Sequence, residues 1–305
     1  VRILRRDIDC IGFDKDFTIY DTDDSKRVLK DVIKELNLDE KAFQPKSVLS
    51  IISHAKDQYQ SPADFAKAHA AESDWKMARI AKIYEKYAQK LRSANALDFD
   101  DIIYHTVTLL QQEPEVLAYY QNKFRYVLVD EYQDTNHLQY LLTSLLAGGR
   151  KNLCVVGDDD QSIYKFRGAT IENILSFEQQ FGETRVIRLE QNYRSTQVIV
   201  EAANSLIEKN SDRIKKKCFS KGDRGELIRL IEGYTPEEEA RLIASSIKGR
   251  ISSDSASYRD FAILYRTNSQ SRALEQELRA ANIPYQIFSG KSFFERAEVK
   301  DMMAY

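Results

Sequence analysis

Between residues 126 and 189 three short apolar runs alternate with amphipathic stretches, and this order limits the possible folds more than any other feature of the chain. The runs are Tyr126–Val129, Leu153–Val156 and Val186–Leu189, and the stretches lie around Leu138–Leu146 and Ile171–Phe181. Apolar runs of this length, separated by segments of helical spacing, predict strand, helix, strand, helix, strand: a parallel sheet covered by helices. Ligands in such sheets gather at the carboxyl ends of the strands. The residues that follow each run are therefore the first functional candidates.

The flanking regions differ in character. Residues 23–94 are dense in charge, with Val28, Leu29, Val32, Ile33 and Leu36 at helical spacing. Pro45 and the Ser61-Pro62 pair punctuate this segment, Ser61 suiting an N-cap and Pro62 the first helical position. Ile80, Ile83, Tyr84, Tyr87 and Leu91 form a further helical stripe that reads as core packing. After Ser195 the pattern predicts a helix to about Lys209, a basic turn and a strand at Leu227–Ile231. A helix opened by Thr235-Pro236-Glu237-Glu238 comes next, with Thr235 as cap and Glu238 completing a capping box. Strands at Phe261–Leu264 and Tyr285–Phe288 flank a last helix from about Ser269 to Ala281, so a second α/β layer is expected.

Composition narrows the function classes. The 305 residues are 43% hydrophobic and 30% charged, with a formal net charge of −2, which speaks against holding polyanions by bulk electrostatics. No apolar run approaches the roughly 18 residues of a membrane span. Cys10, Cys154 and Cys218 are scattered and odd in number, so neither a disulfide framework nor a paired-thiolate zinc site is expected. His54, His69, His105 and His137 lack metal-ligand spacing. A reducing, cytoplasmic setting follows as the expectation. The chain begins at Val1 without leader or initiator methionine and reads as a piece of something longer.

The first run ends in Asp130-Glu131. Two adjacent acids at a strand tip divide the labour of a Walker B site, with Asp130 holding Mg²⁺ and Glu131 orienting and deprotonating a water. An ordinary strand followed by an acidic helix start would look the same. The second run leads through Gly157 into Asp158-Asp159-Asp160-Gln161, where an amide could sense a γ-phosphate. Just beyond, Tyr164, Phe166 and Arg167 make an array that stacks on unpaired bases, or else two core aromatics and a surface charge. The third run leads to Tyr193-Arg194, a stacking ring and an arginine that could reach a phosphate from a facing domain, or simply make a capping or surface ion pair. Lys215-Lys216-Lys217, with Arg213 and Lys221, could touch phosphate but reads rather as a solvated loop and receives no role.

Three long stretches in this order and spacing carry a resemblance: Asp130-Glu131-Tyr132-Gln133-Asp134-Thr135-Asn136, Gly157 to Tyr164, and Leu189-Glu190-Gln191-Asn192-Tyr193-Arg194-Ser195. They resemble motifs II, III and IV of superfamily 1 DNA helicases of the UvrD/Rep/PcrA type, and the wording is most similar to the PcrA branch. The similarity extends to Val1–Arg6, Leu97–Asp101, Leu264–Arg272 and Ile283–Asp301, so nearly the whole chain is covered.

The resemblance implies a RecA-like fold with an all-α insert. Residues 1–22 and 95–188 would form the first RecA-like domain, 23–94 its helical insert, and 189–305 the first part of the second RecA-like domain. It implies Asp130 as the Mg²⁺-associated acid, Glu131 as catalytic base and a second acid at the metal, and Gln161 as the γ-phosphate contact. Arg194 would be an arginine finger and Tyr193 the adenine-stacking ring. Tyr164, Phe166 and Arg167 would line a single-stranded DNA track, with Phe166 standing where the PcrA branch often has Trp. No G-x-x-x-x-G-K-[ST] loop occurs in the chain, and in this family that loop lies upstream of the segment matching Val1.

The expected activity of the complete protein is ATP-dependent, 3′-to-5′ translocation on single-stranded DNA with duplex unwinding in repair or replication. Its expected partners are ATP, single-stranded DNA, duplex junctions and repair or replication proteins, with no membrane. This chain alone is expected to lack ATPase activity. One rival is the helicase arm of a helicase–nuclease. The other is a non-catalytic DNA- or protein-binding module, which decay at Asp130, Glu131, Gln161 or Arg194 would have marked.

Overall fold

A computed structural model describes residues 1–70, 75–165, 168–211, 213–253 and 256–288. It separates into two compact units, one of residues 1–192 with 202–219, the other of 193–201 with the described part of 220–305.

In the first unit, α1 (Arg2–Asp7) leads to a two-residue strand β1 (Thr18–Ile19), after which four helices follow without a strand between them: α2 (Thr22–Glu35), α3 (Pro45–Asp57), α4 (Pro62–Ala68) and α5 (Trp75–Ser93). The starts of α2 and α4 are set by side chains that accept the first orphan N–H groups of the helix, whereas Gln44 gives α3 no such bond. Asp21 takes the amides of Asp23 and Asp24, both at 2.8 Å. Ser61 Oγ takes the amide of Asp64 at 3.1 Å, with Pro62 at the first helical position as the sequence predicts. Leu29, Val32, Ile33, Val48, Ile52, Phe65, Ile80, Ile83, Tyr84, Tyr87 and Leu91 close over one apolar core, so the predicted stripe on α5 is core packing.

The chain returns through β2 (Ala96–Leu97), which pairs parallel with β1, Thr18 opposite Ala96 and Ile19 opposite Leu97. This pairing brings the two ends of the helical segment together. A second core of Leu4, Ile8, Phe13, Phe17, Leu97 and Leu109 lies under it. Next come α6 (Phe99–Gln112) and α7 (Pro114–Lys123), then β3 (Val127–Val129), α8 (His137–Ala147) and β4 (Leu153–Val155). β3 and β4 pair parallel, Val127 opposite Leu153 and Val129 opposite Val155. They form a βαβ unit, and both strands end where the sequence places its acids. α9 (Glu172–Leu175) and α10 (Phe177–Phe181) occupy the second predicted helix, broken at Ser176.

β5 (Gln191–Asn192), α11 (Gln197–Ile207) and β6 (Phe219–Ser220) follow. In the second unit α12 (Pro236–Ser253) starts as predicted, with Thr235 Oγ1 accepting the Glu238 amide at 3.1 Å. The reciprocal bond differs, because Glu238 takes the amide of Tyr234 at 2.9 Å. α12 and α13 (Ser271–Ala280) enclose Ala244, Ile247, Leu278 and Ile283.

Four predicted strands are not strands here: Val186–Leu189, Leu227–Ile231, Phe261–Leu264 and Tyr285–Phe288. Among the described residues no neighbour supplies the ladder hydrogen bonds that make an extended segment a strand. The alternation that prompted the expectation survives at 261–264, where Phe261 and Ile263 pack on the helices while Leu264 is 93% exposed. Leu189 and Leu230, 82% and 87% exposed, have no such cover.

Beneath the helices lies a buried ion cluster. Lys56 on α3 places Nζ 2.6 Å from Asp98 Oδ2 and 2.7 Å from Asp101 Oδ1, and Tyr87 on α5 donates to Asp98 Oδ2 at 2.9 Å. Burial works against the charge on Lys56, but Asp101 and Asp98 hold its pKa well above the ordinary lysine value. Asp98 also caps α6 by accepting the Asp101 amide at 2.9 Å. No helix among the described residues is long and apolar enough to cross a membrane.

Candidate nucleotide site

The tips of β3 and β4 are joined by one buried amide side chain. Past Val129 the chain turns sharply, because Glu131 adopts φ 50° and ψ 42°, left-handed values rare for a residue with a Cβ. Its amide donates to Asp130 Oδ1 at 2.9 Å, and the Tyr132 amide reaches across to the carbonyl of Val156 at 3.0 Å. Gln133, only 1% exposed, then bridges the two tips. Its Nε2 donates to Glu131 Oε2 at 2.8 Å, while its Oε1 accepts the Asp158 amide at 3.0 Å. Asp158 Oδ2 in turn accepts from Gln161 Nε2 at 2.7 Å. Glu131 and Gln161 thus belong to one hydrogen-bonded chain that runs through Gln133 and Asp158.

The approach of the two loops depends on Gly157. A Cβ there would lie 2.6 Å from Gln133 Oε1 and 2.9 Å from Ile174 Cδ1. Deeper support comes from Asn173, whose Nδ2 donates to Thr135 O and Oγ1, both at 3.1 Å, and from Asn136, whose Nδ2 donates to Asp57 Oδ1 at 2.6 Å.

The electrostatics of the two loops are opposite. Asp130, Glu131 and Asp134 meet only amide donors and form no ion pair among the described residues. Burial and the neighbouring Glu131 raise the Asp134 pKa, and its Oδ1 is buried without a hydrogen-bond partner. Hard carboxylate oxygens short of positive charge suit Mg²⁺. Asp158, Asp159 and Asp160 also bring carboxylate oxygens within 4.8 Å of one another, but Lys216 and Arg213 already neutralise them. The run at 215–217 is therefore not wholly solvated: Lys215 and Lys217 are exposed, whereas the Lys216 side chain is 16% exposed and paired.

The predicted site residues divide between the two units. Asp130, Glu131, Gln161 and Tyr164 lie in the first, and Tyr193 and Arg194 in the second. Tyr193 is 85% exposed. The segment carrying it is anchored by the Gln197 and Val198 amides, which donate to the carbonyls of Asp223 and Arg224, each at 3.1 Å. Phe166 and Arg167 lie outside the described residues. Gln133, Arg213 and Lys216 carry much of the geometry; sequence assigned Gln133 no role of its own and placed Arg213 and Lys216 in a solvated loop, whereas both are paired and largely buried. For Gln133 the available signal was its place two residues after the acid pair.

A helix-covered parallel strand pair with acids at its tips, interrupted upstream by an all-α segment, defines a mixed α/β chain consistent with a RecA-like helicase core. Residues 1–182 match the UvrD/REP helicase N-terminal domain and residues 187–305 the UvrD-like helicase C-terminal domain. The chain belongs to the UvrD/REP helicase family. Over all 305 residues it is 48% identical to the ATP-dependent DNA helicase PcrA of Staphylococcus aureus and 47% identical to that of Staphylococcus epidermidis. It spans 41% of the length of each of these relatives.

Proposed function

We propose that this chain is the part of an ATP-dependent DNA helicase that carries the catalytic base and the γ-phosphate contact. The carrying observation is the hydrogen-bonded chain from Glu131 through Gln133 and Asp158 to Gln161, which ties together the loops that follow β3 and β4 and so supports reading Glu131 as base and Gln161 as phosphate contact. Asp130 would hold Mg²⁺, which when bound supplies charge neutralisation for the phosphates. Glu131 accepts a proton from the attacking water, and its left-handed backbone turns the carboxylate away from the strand line toward Gln133. Gln161 orients the water or contacts the γ-phosphate. Arg194 serves as the finger and Tyr193 as the adenine-stacking ring, brought to the nucleotide by closure of the cleft between the two RecA-like domains, 1–22 with 95–188, which carries the helical insert 23–94, and 189–305. Tyr164, Phe166 and Arg167 would grip single-stranded DNA by stacking, moving along it as the cleft opens and closes. The setting is cytoplasmic, in repair or replication.

The test uses the full-length protein with Mg²⁺, ATP and duplexes bearing a single-stranded tail. Unwinding of the 3′-tailed duplex and failure on the 5′-tailed one is the expected result. The 305-residue chain alone, which has no phosphate-cradling G-x-x-x-x-G-K-[ST] loop, is expected to hydrolyse no ATP. Equal unwinding of both duplexes, or hydrolysis by the chain alone, would contradict the respective parts.

A further inference from the structure

We propose that Lys216, assisted by Arg213, is a positioning residue for Gln161. The inference rests on the nucleotide-site reading above and names a part that it lacks. Lys216 Nζ lies 2.6 Å from Asp158 Oδ1, 2.6 Å from Asp159 Oδ1 and 3.2 Å from Asp160 Oδ2. Arg213 grips Asp160 with two hydrogen bonds, Nε to Oδ1 at 2.8 Å and Nη2 to Oδ2 at 2.6 Å. The Ile214 amide completes the set by donating to Asp159 Oδ2 at 2.7 Å. Asp159 is 6% exposed and the Arg213 and Lys216 side chains 10% and 16%, so solvent screens the cluster less than a surface pair, with Asp158, at 32%, its most open member.

Asp158 links this cluster to the site. Its Oδ1 faces Lys216 and accepts the Asp160 amide at 3.1 Å, its Oδ2 accepts from Gln161 Nε2 at 2.7 Å, and its amide donates to Gln133 at 3.0 Å. Lys216 therefore determines where the acceptor of the Gln161 side chain sits. Without its ammonium, Arg213 on Asp160 would be the one cation left against three carboxylates within 4.8 Å of one another, and the unpaired charge on Asp158 would push it away from its neighbours. Asp158 would leave Gln161, and the amide would lose its orientation while remaining in the sequence. Lys215, exposed beside it, contributes nothing to this grip.

The experiment is a double-mutant cycle in the full-length protein, read by DNA-stimulated ATP hydrolysis, with amide hydrogen exchange over residues 157–164 measured in parallel. Lys216→Ala is expected to lower kcat roughly tenfold or more with little change in KM, as for loss of a charge-assisted contact. Lys215→Ala leaves both parameters unchanged. Adding Lys216→Ala to Gln161→Ala has little further effect, because positioning acts only through the group positioned. A merely structural lysine would give additive losses, and that result, or an unchanged kcat in Lys216→Ala, overturns the proposal. Exchange over 157–164 rises in Lys216→Ala while α5 keeps its protection. Unchanged exchange there overturns the proposal even if the wild-type protein hydrolyses no ATP, a failure that would count against the nucleotide reading instead. If Lys216→Ala does not fold, Arg213→Lys keeps the charge and loses the two-point grip, and is expected to move kcat and exchange in the same directions by less.

Discussion

His105 and Asp57 show how single side chains in this chain respond to their surroundings with opposite sign. His105 packs at 4.8 Å against the Phe13 ring, and its pKa is pushed down to about 4 by burial and by the Lys56 ammonium, with Arg92 adding to this and Asp98 opposing. A depressed histidine contributes stability that is complete above its unfolded pKa near 6.5 and is lost as pH falls toward 4. Asp57 is pushed up to about 6, by burial first and by Asp100 second, so its contribution runs the other way and stability is gained as pH falls. A difference measurement isolates His105. The stability advantage of wild type over His105→Phe, measured by urea unfolding, is expected to shrink between pH 6.5 and 4, by about 1.4 kcal/mol for each unit of displaced pKa. A constant difference across that range would show that His105 titrates normally.

At the scale of elements, three helices are tied by one charge. Lys56 from α3 meets Asp98 and Asp101 at the start of α6, with the hydroxyl of Tyr87 from α5 on the same carboxylate. Removing only the cation strands two carboxylates in an interior they cannot leave. Lys56→Met is therefore expected to cost about 3–5 kcal/mol in chemical denaturation, and a loss within the range of surface pairs, under about 1 kcal/mol, would contradict the burial account. Much of this level was legible in sequence. Ser61-Pro62 and Thr235-Pro236 announced their helices because capping is local chemistry, and the apolar stripe on α5 announced its buried face for the same reason. Local pattern could not show whether Val186–Leu189 or Leu227–Ile231 has a strand beside it, since pairing is a long-range property.

At the scale of the whole chain, the candidate site was readable where chemistry sits in adjacent letters and unreadable where it crosses the fold. Asp130 and Glu131 follow β3 directly and Gln161 closes the turn after β4, so the alternation of runs and helices was enough to mark these loops as candidates. The bridge through Gln133 joins residues 25 apart in sequence, and the clamp of Lys216 on Asp159 spans 57, so no local reading could pair them. The two units also divide the predicted residues, with Arg194 and Tyr193 in a different unit from Glu131. The proposed role of Glu131 as the base at a bound nucleotide is what the functional reading depends on most. Single-turnover ATP hydrolysis by the full-length protein carrying Glu131→Gln, with nucleotide binding measured on the same sample, tests it. The account predicts unchanged binding with hydrolysis slowed roughly a hundredfold or more, as expected for loss of a general base. Hydrolysis at the wild-type rate by that variant would contradict it.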